Sequence, residues 1–301
     1  MKVLKFGGTS VANADNINKV IDIVEQSLKI DKNIVVVVSA FGGVTDELIK
    51  IANLSAKKDF THKKLLKDLI KRHNQVIQKL IKIKNRKKVL EIVGKKYKEL
   101  EKNLESIFLA SSLSKHSLDA VVSYGEQLSS FIINEGINNR GILAQFFDIR
   151  KLIKTDDNFG EANVDIETSY KLISKNFKNK KLVVLGGFIG STKKGMTTTL
   201  GRGGSDYTAS LIGAAVDADF IEIWTDVDGI MTEDPKKMKD ALLIPEITYE
   251  KAEEMAYNGA KVIHPKTIKP AVLKNIPIYV KNTFNPKGSG TKISNGKNFK
   301  K

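Results

Sequence analysis

The sequence predicts an α/β fold, a mostly parallel sheet covered by helices on both faces. Three observations carry this. Short continuous apolar runs such as Ile34–Val38 (IVVVV) and Leu182–Leu185 (LVVL) read as strands buried on both sides. Stretches of helical apolar spacing separate them. Glycine, serine and threonine gather directly after several of the runs, and ligands of such sheets bind beyond the carboxyl ends of the strands.

Taken in order, Val3–Phe6 reads as the first strand, and Gly7-Gly8-Thr9-Ser10 turns the chain into a helix over Ala14–Leu28. Ile34–Val38 is the second strand. Ser39-Ala40-Phe41-Gly42-Gly43-Val44-Thr45 follows it, with a helix after Thr45. A lysine-rich helical excursion occupies about 57–115. In it Leu66, Leu69, Ile70, Val76, Ile77, Leu80 and Ile81 recur at helical spacing, as do Val93, Tyr97, Leu100, Leu104 and Ile107. Gly125–Glu135 reads as helix, Ala144–Phe147 as strand, and Leu182–Leu185 as a buried strand entering Gly186-Gly187-Phe188. Ser205–Val216 reads as helix with Ser205 as its N-cap. Phe220–Trp224 follows as strand, Tyr249–Asn258 as a helix ended by Gly259, and Ile276–Val280 as a last strand.

Composition narrows the function classes. At 301 residues and 41% hydrophobic, the chain can bury a full core as one large domain or two lobes. No apolar run approaches the roughly 18 residues of a membrane span. The N-terminus enters a strand with no secretory pattern, and cysteine is absent, so a soluble cytoplasmic protein is expected. The formal charge of +16 invites a nucleic-acid reading, but 17 basic and five acidic residues between Lys57 and Lys102 carry +12 of it. The basic residues are overwhelmingly lysine; only Arg72, Arg86, Arg140, Arg150 and Arg202 carry the bidentate fork favoured in base and phosphate readout. Aromatics suited to stacking bases are nearly missing from the basic region. A solvated helical face is the expected role, with no nucleic-acid or membrane partner.

A few charged residues stand among the loops that follow the strands. Lys5 precedes its glycines, whereas a P-loop lysine follows them, so KFGGTS is either a phosphate site of another kind or a tight turn. Arg202, in Thr199-Leu200-Gly201-Arg202-Gly203-Gly204-Ser205-Asp206, suits a bidentate grip on a carboxylate or a salt bridge holding its loop. Glu126 and Asp206 lie near predicted helix starts, where the helix dipole alone favours acids. Together Arg202 and Glu126 suit a zwitterion, guanidinium to carboxylate and carboxylate to ammonium. His264 reads as structural, the four histidines lack metal-ligand spacing, and Asp226 and Asp228 lack a continuing EF-hand pattern.

The stretches KFGGTSV at 5–11, VVVVSAFGGVTDELI at 35–49, VSYGEQLSS at 122–130, GGFIGS at 186–191, TTLGRGGSDYTAS at 199–210, IWTDVDGIMTEDP at 223–235 and GAKVIHPKTIKPA at 259–271 together resemble the amino acid kinase superfamily, and within it the aspartate kinases. The resemblance implies a three-layer αβα sandwich. It makes 1–293 one catalytic domain, with an N-lobe of about 1–195 for the amino acid and a C-lobe of about 196–293 for ATP. It implies ATP-dependent phosphorylation of the L-aspartate side-chain carboxylate to 4-phospho-L-aspartate, the first step toward lysine, threonine and methionine. Carried over by motif, Ser39, Thr45, Glu126, Arg202, Gly203, Gly204 and Ser205 contact aspartate. Lys5, Gly7, Gly8 and Thr9 hold the phosphoryl groups, and Thr225, Asp226, Met231, Lys236, Lys261 and Val262 contact the nucleotide. Lys5 and Asp206 form the catalytic pair. Mg²⁺ is implied on ATP, with no metal site made by protein side chains alone.

The chemistry agrees with that residue set. An aspartate carboxylate is already ionised at neutral pH and needs no general base. Phosphoryl transfer then rests on alignment and charge neutralisation. The chain departs from the family's frequent tyrosine at Met231 and arginine at Lys236, both placed beside the nucleotide. Only the polar residues 294–301 follow Ile293, so no ACT regulatory domain is expected, nor feedback inhibition through one. A homodimer is one open assembly. The alternatives are a sibling kinase for glutamate, acetylglutamate or UMP, and a catalytically silent regulatory homologue.

Overall fold

A computed structural model describes residues 1–31, 33–232, 241–257, 263 and 265–296. The chain begins with β1 (Lys2–Phe6), α1 (Ala14–Ile30), β2 (Ile34–Val38) and α2 (Val44–Ala56). Four helices follow: α3 (Thr61–Leu80), α4 (Ile83–Ala110), α5 (Lys115–Val122) and α6 (Tyr124–Asn139). Next come β3 (Gln145–Phe147), β4 (Lys154–Thr155), α7 (Ile166–Phe177), β5 (Leu182–Gly186), β6 (Ile189–Thr192) and β7 (Thr197–Thr199). The last part holds α8 (Gly204–Ala215), β8 (Phe220–Thr225), β9 (Glu246–Thr248), α9 (Tyr249–Tyr257), α10 (Pro265–Leu273), β10 (Ile278–Asn282) and β11 (Thr291–Ser294).

Eight strands form one sheet in the order β3-β5-β2-β1-β8-β10-β11-β9, parallel throughout except between β10 and β11. Side chains alternate between its faces, and both faces are buried. Ile34, Val36 and Val38 join Leu4 and Phe6 in a core under α1 to α6, whereas Val35 and Val37 join Val3, Val183 and Leu185 in a core under α7 to α10. This is why the strands read as unbroken apolar runs, and it makes the fold a three-layer αβα sandwich. A small second sheet, β4-β6-β7, flanks it.

The lysine-rich excursion is the α3–α4 pair. Leu66, Leu69, Val76 and Ile77 of α3, with Val93, Tyr97, Leu100 and Leu104 of α4, are buried in the first core. Each fully buried aliphatic side chain contributes roughly 1.5–3 kcal/mol, enough to hold so charged a hairpin on the sheet.

Two sequence expectations need correction. Ser205 is not the N-cap of α8: Gly203, with φ 72°, turns the chain and the helix begins at Gly204. The strand expected at 276–280 runs from 278 to 282 and is not the last, since β11 follows and takes in Ser294 from the expected tail. Gly259, expected to end α9, lies outside the described residues.

Candidate active site

Because β5, β2, β1 and β8 are parallel and in register, their carboxyl ends meet on one edge, with Phe6 opposite both Val38 and Trp224, and Val38 opposite Gly186. The loops leaving that edge surround an open cleft of about 570 Å³. Glycines permit their approach. A Cβ on Gly187 would stand 2.7 Å from the Ser205 backbone, and one on Gly125 would stand 2.7 Å from Ala40 Cβ. The helices carrying Ser205 and Glu126 therefore press directly on the strand ends.

Of the charged side chains that line the cleft, four were expected from the sequence: Lys5, Glu126, Arg202 and Asp206. Lys5 is buried on β1, on the face covered by α8, and its Nζ lies 2.5 Å from Asp206 Oδ1 in the first turn of α8. Asp206 Oδ1 meets Lys5 as an ion-pair contact without a well-aligned hydrogen bond. Glu126, in the first turn of α6, is 3% exposed. Its Oε1 accepts from Ala40 N at 3.1 Å, while Oε2 has no partner among the described residues. Burial pushes the Glu126 carboxyl up to about 8, against the opposing pull of the Ala40 N–H. Arg202 is exposed at the cleft and makes no hydrogen bond or ion pair among the described residues, so it is not a loop salt bridge.

The remaining predicted residues divide by position. Ser39, Thr45, Gly8, Gly203, Gly204 and Ser205 line the same cleft, and Ser39 Oγ donates to Ser205 Oγ at 3.0 Å. Gly7 follows β1, and its N–H bonds to Trp224 O at 3.1 Å. Thr9 is exposed in the short turn after it. Thr225 ends β8 and donates to Asp226 Oδ1 at 3.1 Å. Met231 makes an isolated bridge to Leu243. Thr9, Thr225, Asp226 and Met231 are not in the cleft lining. Lys236, Lys261, Val262 and His264 lie outside the described residues.

Sequence reasoning missed Phe41, Asp46, Gly160, Glu161 and Phe188, which also line the cleft. Phe188 holds φ 65°, a conformation unusual for a bulky side chain, fastened by Phe188 N to Thr208 Oγ1 at 3.0 Å and Leu200 N to Phe188 O at 2.8 Å. Asp119 of α5 was missed as well. Its buried carboxylate accepts from Gly160 N (2.9 Å), Thr199 N (2.9 Å) and Thr199 Oγ1 (2.8 Å), tying the Gly160–Glu161 loop to the strand that leads into Arg202. Asp119→Ala strands these donors and is expected to destabilise the fold by about 3 kcal/mol in denaturant unfolding. Asp119→Asn, which keeps an acceptor oxygen, should cost less.

The sequence profile of the Amino acid kinase family matches residues 1–282. Lysine-sensitive aspartokinase 3 of Escherichia coli (strain K12) is 40% identical over 300 residues, covering 97% of this chain and 64% of that protein. The chain thus spans a little under two thirds of that relative's length. The crystal structure of E. coli aspartokinase III in complex with lysine and aspartate (T-state) matches with a TM-score of 0.90 at 37% identity, covering 99% of this chain and 66% of that one. The same enzyme in complex with aspartate and ADP (R-state) matches with a TM-score of 0.89 at 37% identity, covering 98% and 64%.

Proposed function

The chain belongs to the amino acid kinase family, and from that premise we propose that it is an aspartate kinase, transferring the terminal phosphoryl group of ATP to the side-chain carboxylate of L-aspartate. One observation carries the choice of substrate. A buried carboxylate, Glu126, with one oxygen unpaired among the described residues shares a cleft with a guanidinium, Arg202, that is likewise unpaired among them. The other four arginines all engage partners: Arg72 and Arg86 bond backbone carbonyls, Arg140 bonds Asp22, and Arg150 holds Asp148 with a fork. In a chain that otherwise uses lysine, the arginine whose fork is unused among the described residues borders the cleft. An α-amino acid supplies both missing partners, its ammonium for Glu126 and its α-carboxylate for Arg202.

The same arithmetic weighs the siblings. A uridine nucleotide offers Glu126 no ammonium, and acetylglutamate has its nitrogen acylated and uncharged. Glutamate keeps both groups and differs by one methylene, so there the likeness to aspartokinases is what favours aspartate.

In the proposed mechanism the substrate side-chain carboxylate attacks the γ-phosphorus directly, ionised at neutral pH and needing no base. The bond to the β,γ-bridging oxygen breaks, and ADP leaves carrying that electron pair. Lys5 neutralises charge on the transferring group, and Asp206 holds its ammonium in place at 2.5 Å. Gly7, Gly8 and Thr9 border the phosphates; Ser39, Thr45 and the Gly203–Ser205 turn border the amino acid. The amino acid then sits mainly on the part of the chain before about 195, with Arg202 and the Gly203–Ser205 turn reaching it from beyond. ATP sits mainly after about 196, with the Gly7–Thr9 turn at its phosphates and Thr225, Asp226, Met231, Lys236, Lys261 and Val262 toward the nucleotide. Mg²⁺ enters on ATP and spreads the triphosphate charge. Cytoplasmic residence fits the reaction's substrates; among the described residues no helix is long and apolar enough to cross a membrane. A homodimer is the proposed assembly.

The test follows ADP release with Mg-ATP and a panel of aspartate, glutamate, acetylglutamate and UMP, and traps acyl phosphate as the hydroxamate for the three carboxylates; UMP would give UDP and register by ADP release alone. Aspartate is expected to give acyl-phosphate well above the others. Turnover with another member of the panel and none with aspartate overturns the assignment, and no turnover with any leaves a silent homologue.

A further inference from the structure

We infer that Arg72, on the lysine-rich excursion, is a positioning residue that fastens the loop after β1 to the loop after β2; its catalytic meaning rests on the kinase reading above. Arg72 Nη2 donates to Ala12 O at 3.1 Å and to Gly42 O at 2.6 Å, while Nη1 reaches Glu47 Oε1 at 3.4 Å. The two carbonyls belong to different loops, which already touch through bare backbone. A Cβ on Gly42 would stand 3.2 Å from Gly8 O, and one on Gly8 would stand 3.3 Å from Ala40 O. Arg72 closes that contact from outside the cleft.

The next residue reinforces the seat. His73 stacks on Phe41 with ring centroids 4.8 Å apart and planes 15° apart, and its Nδ1 lies 3.0 Å from Leu69 O. His73 is fully buried, and burial holds it down at about 4, so at neutral pH it is an uncharged platform. Consecutive residues of α3 thus hold Phe41 and Gly42.

Each loop serves one substrate in the proposed reaction. The loop after β1 carries Gly7 and Gly8 on the phosphate side. The loop after β2 carries Ser39, and its Ala40 N–H holds Glu126 on the amino-acid side. In-line transfer depends on the relative placement of the two substrates more than on the grip on either. A planar guanidinium can hold two carbonyls at a set angle, whereas an ammonium is a point charge without that geometry. This accounts for an arginine at this position in a helix whose other cations are lysines.

Arg72→Ala is expected to lower kcat about tenfold to a hundredfold. The dissociation constants of aspartate and of a non-hydrolysable ATP analogue, measured separately by calorimetry, should stay within about a factor of three of the wild type. Millimolar methylguanidinium should restore part of the Arg72→Ala rate and leave the wild type unchanged. Arg72→Lys should fall between the two and carries the test if the alanine variant does not fold. Wild-type-like kcat in both variants, affinity losses as large as the kcat loss, or a loss that methylguanidinium does not relieve overturns the role. Absence of aspartate-dependent turnover in the wild type overturns the functional reading itself, which separates the two failures.

Discussion

Lys5→Ala is expected to lower kcat by about a thousandfold or more, with smaller changes in the KM of either substrate. Lys5 Nζ is the cation placed over the glycine turn that ends β1: a Cβ on Gly7 would stand 3.7 Å from it. Its side chain is 10% exposed and that of Asp206 15% exposed, so the charge acts with little screening by solvent. Alanine also leaves the Asp206 carboxylate unpaired, and breaking one side of a largely buried pair costs about 3–5 kcal/mol. A thermal melt will therefore show destabilisation along with the rate loss. The double variant Lys5→Ala/Asp206→Ala separates the two effects, since with neither charge left most of the stability should return while turnover stays lost. A double variant that recovers both would place the pair among structural supports and remove it from the phosphoryl-transfer machinery.

The features readable in advance were those written in consecutive residues. IVVVV announces a strand buried on both faces because no polar residue interrupts either face, and Val35 and Val37 do enter a different core from Ile34, Val36 and Val38. The meeting of Lys5, Glu126, Arg202 and Asp206 was also legible, because a parallel sheet sends its carboxyl ends to one edge and each residue stands beside a strand end or helix start. Apart from Gln145–Phe147, strands of two to four residues were not: Lys154–Thr155, Thr197–Thr199 and Thr291–Ser294 are too short for a period, and their pairing depends on distant partners. Ser205 has the chemistry of an N-cap, yet the left-handed Gly203 starts the helix sooner, and the serine hydroxyl meets Ser39 instead. Arg72 and Asp119 left no mark because most of their partners are distant backbone groups: Gly42 O stands 30 residues from Arg72, and Thr199 N stands 80 from Asp119. A main-chain carbonyl looks the same in every sequence.

Glu126→Gln is expected to weaken aspartate binding about a hundredfold or more and, above neutral pH, to stabilise the ligand-free protein. Both effects follow from one buried carboxyl raised from 4.5 to about 8. Between those values the unfolded chain has released its proton while the folded protein keeps it, so stability falls as pH rises across the window, by an amount on the order of a few kcal/mol. Glutamine can still accept from Ala40 N and has no charge to desolvate, so its melting temperature should lose that part of the pH dependence. Aspartate binding is expected to reverse the balance in the wild type: the incoming ammonium would favour the carboxylate, and at pH 7 each binding event should release up to about one proton. Titration calorimetry in buffers of different ionisation enthalpy measures this directly. Release should fade above about pH 9, where the site is already ionised, and should be absent in Glu126→Gln. Proton uptake at pH 7, or unaltered aspartate affinity in the glutamine variant, would remove Glu126 from the ammonium site. A stable glutamine variant that no longer holds its substrate would mark the buried charge as a feature kept for binding at a cost to folding.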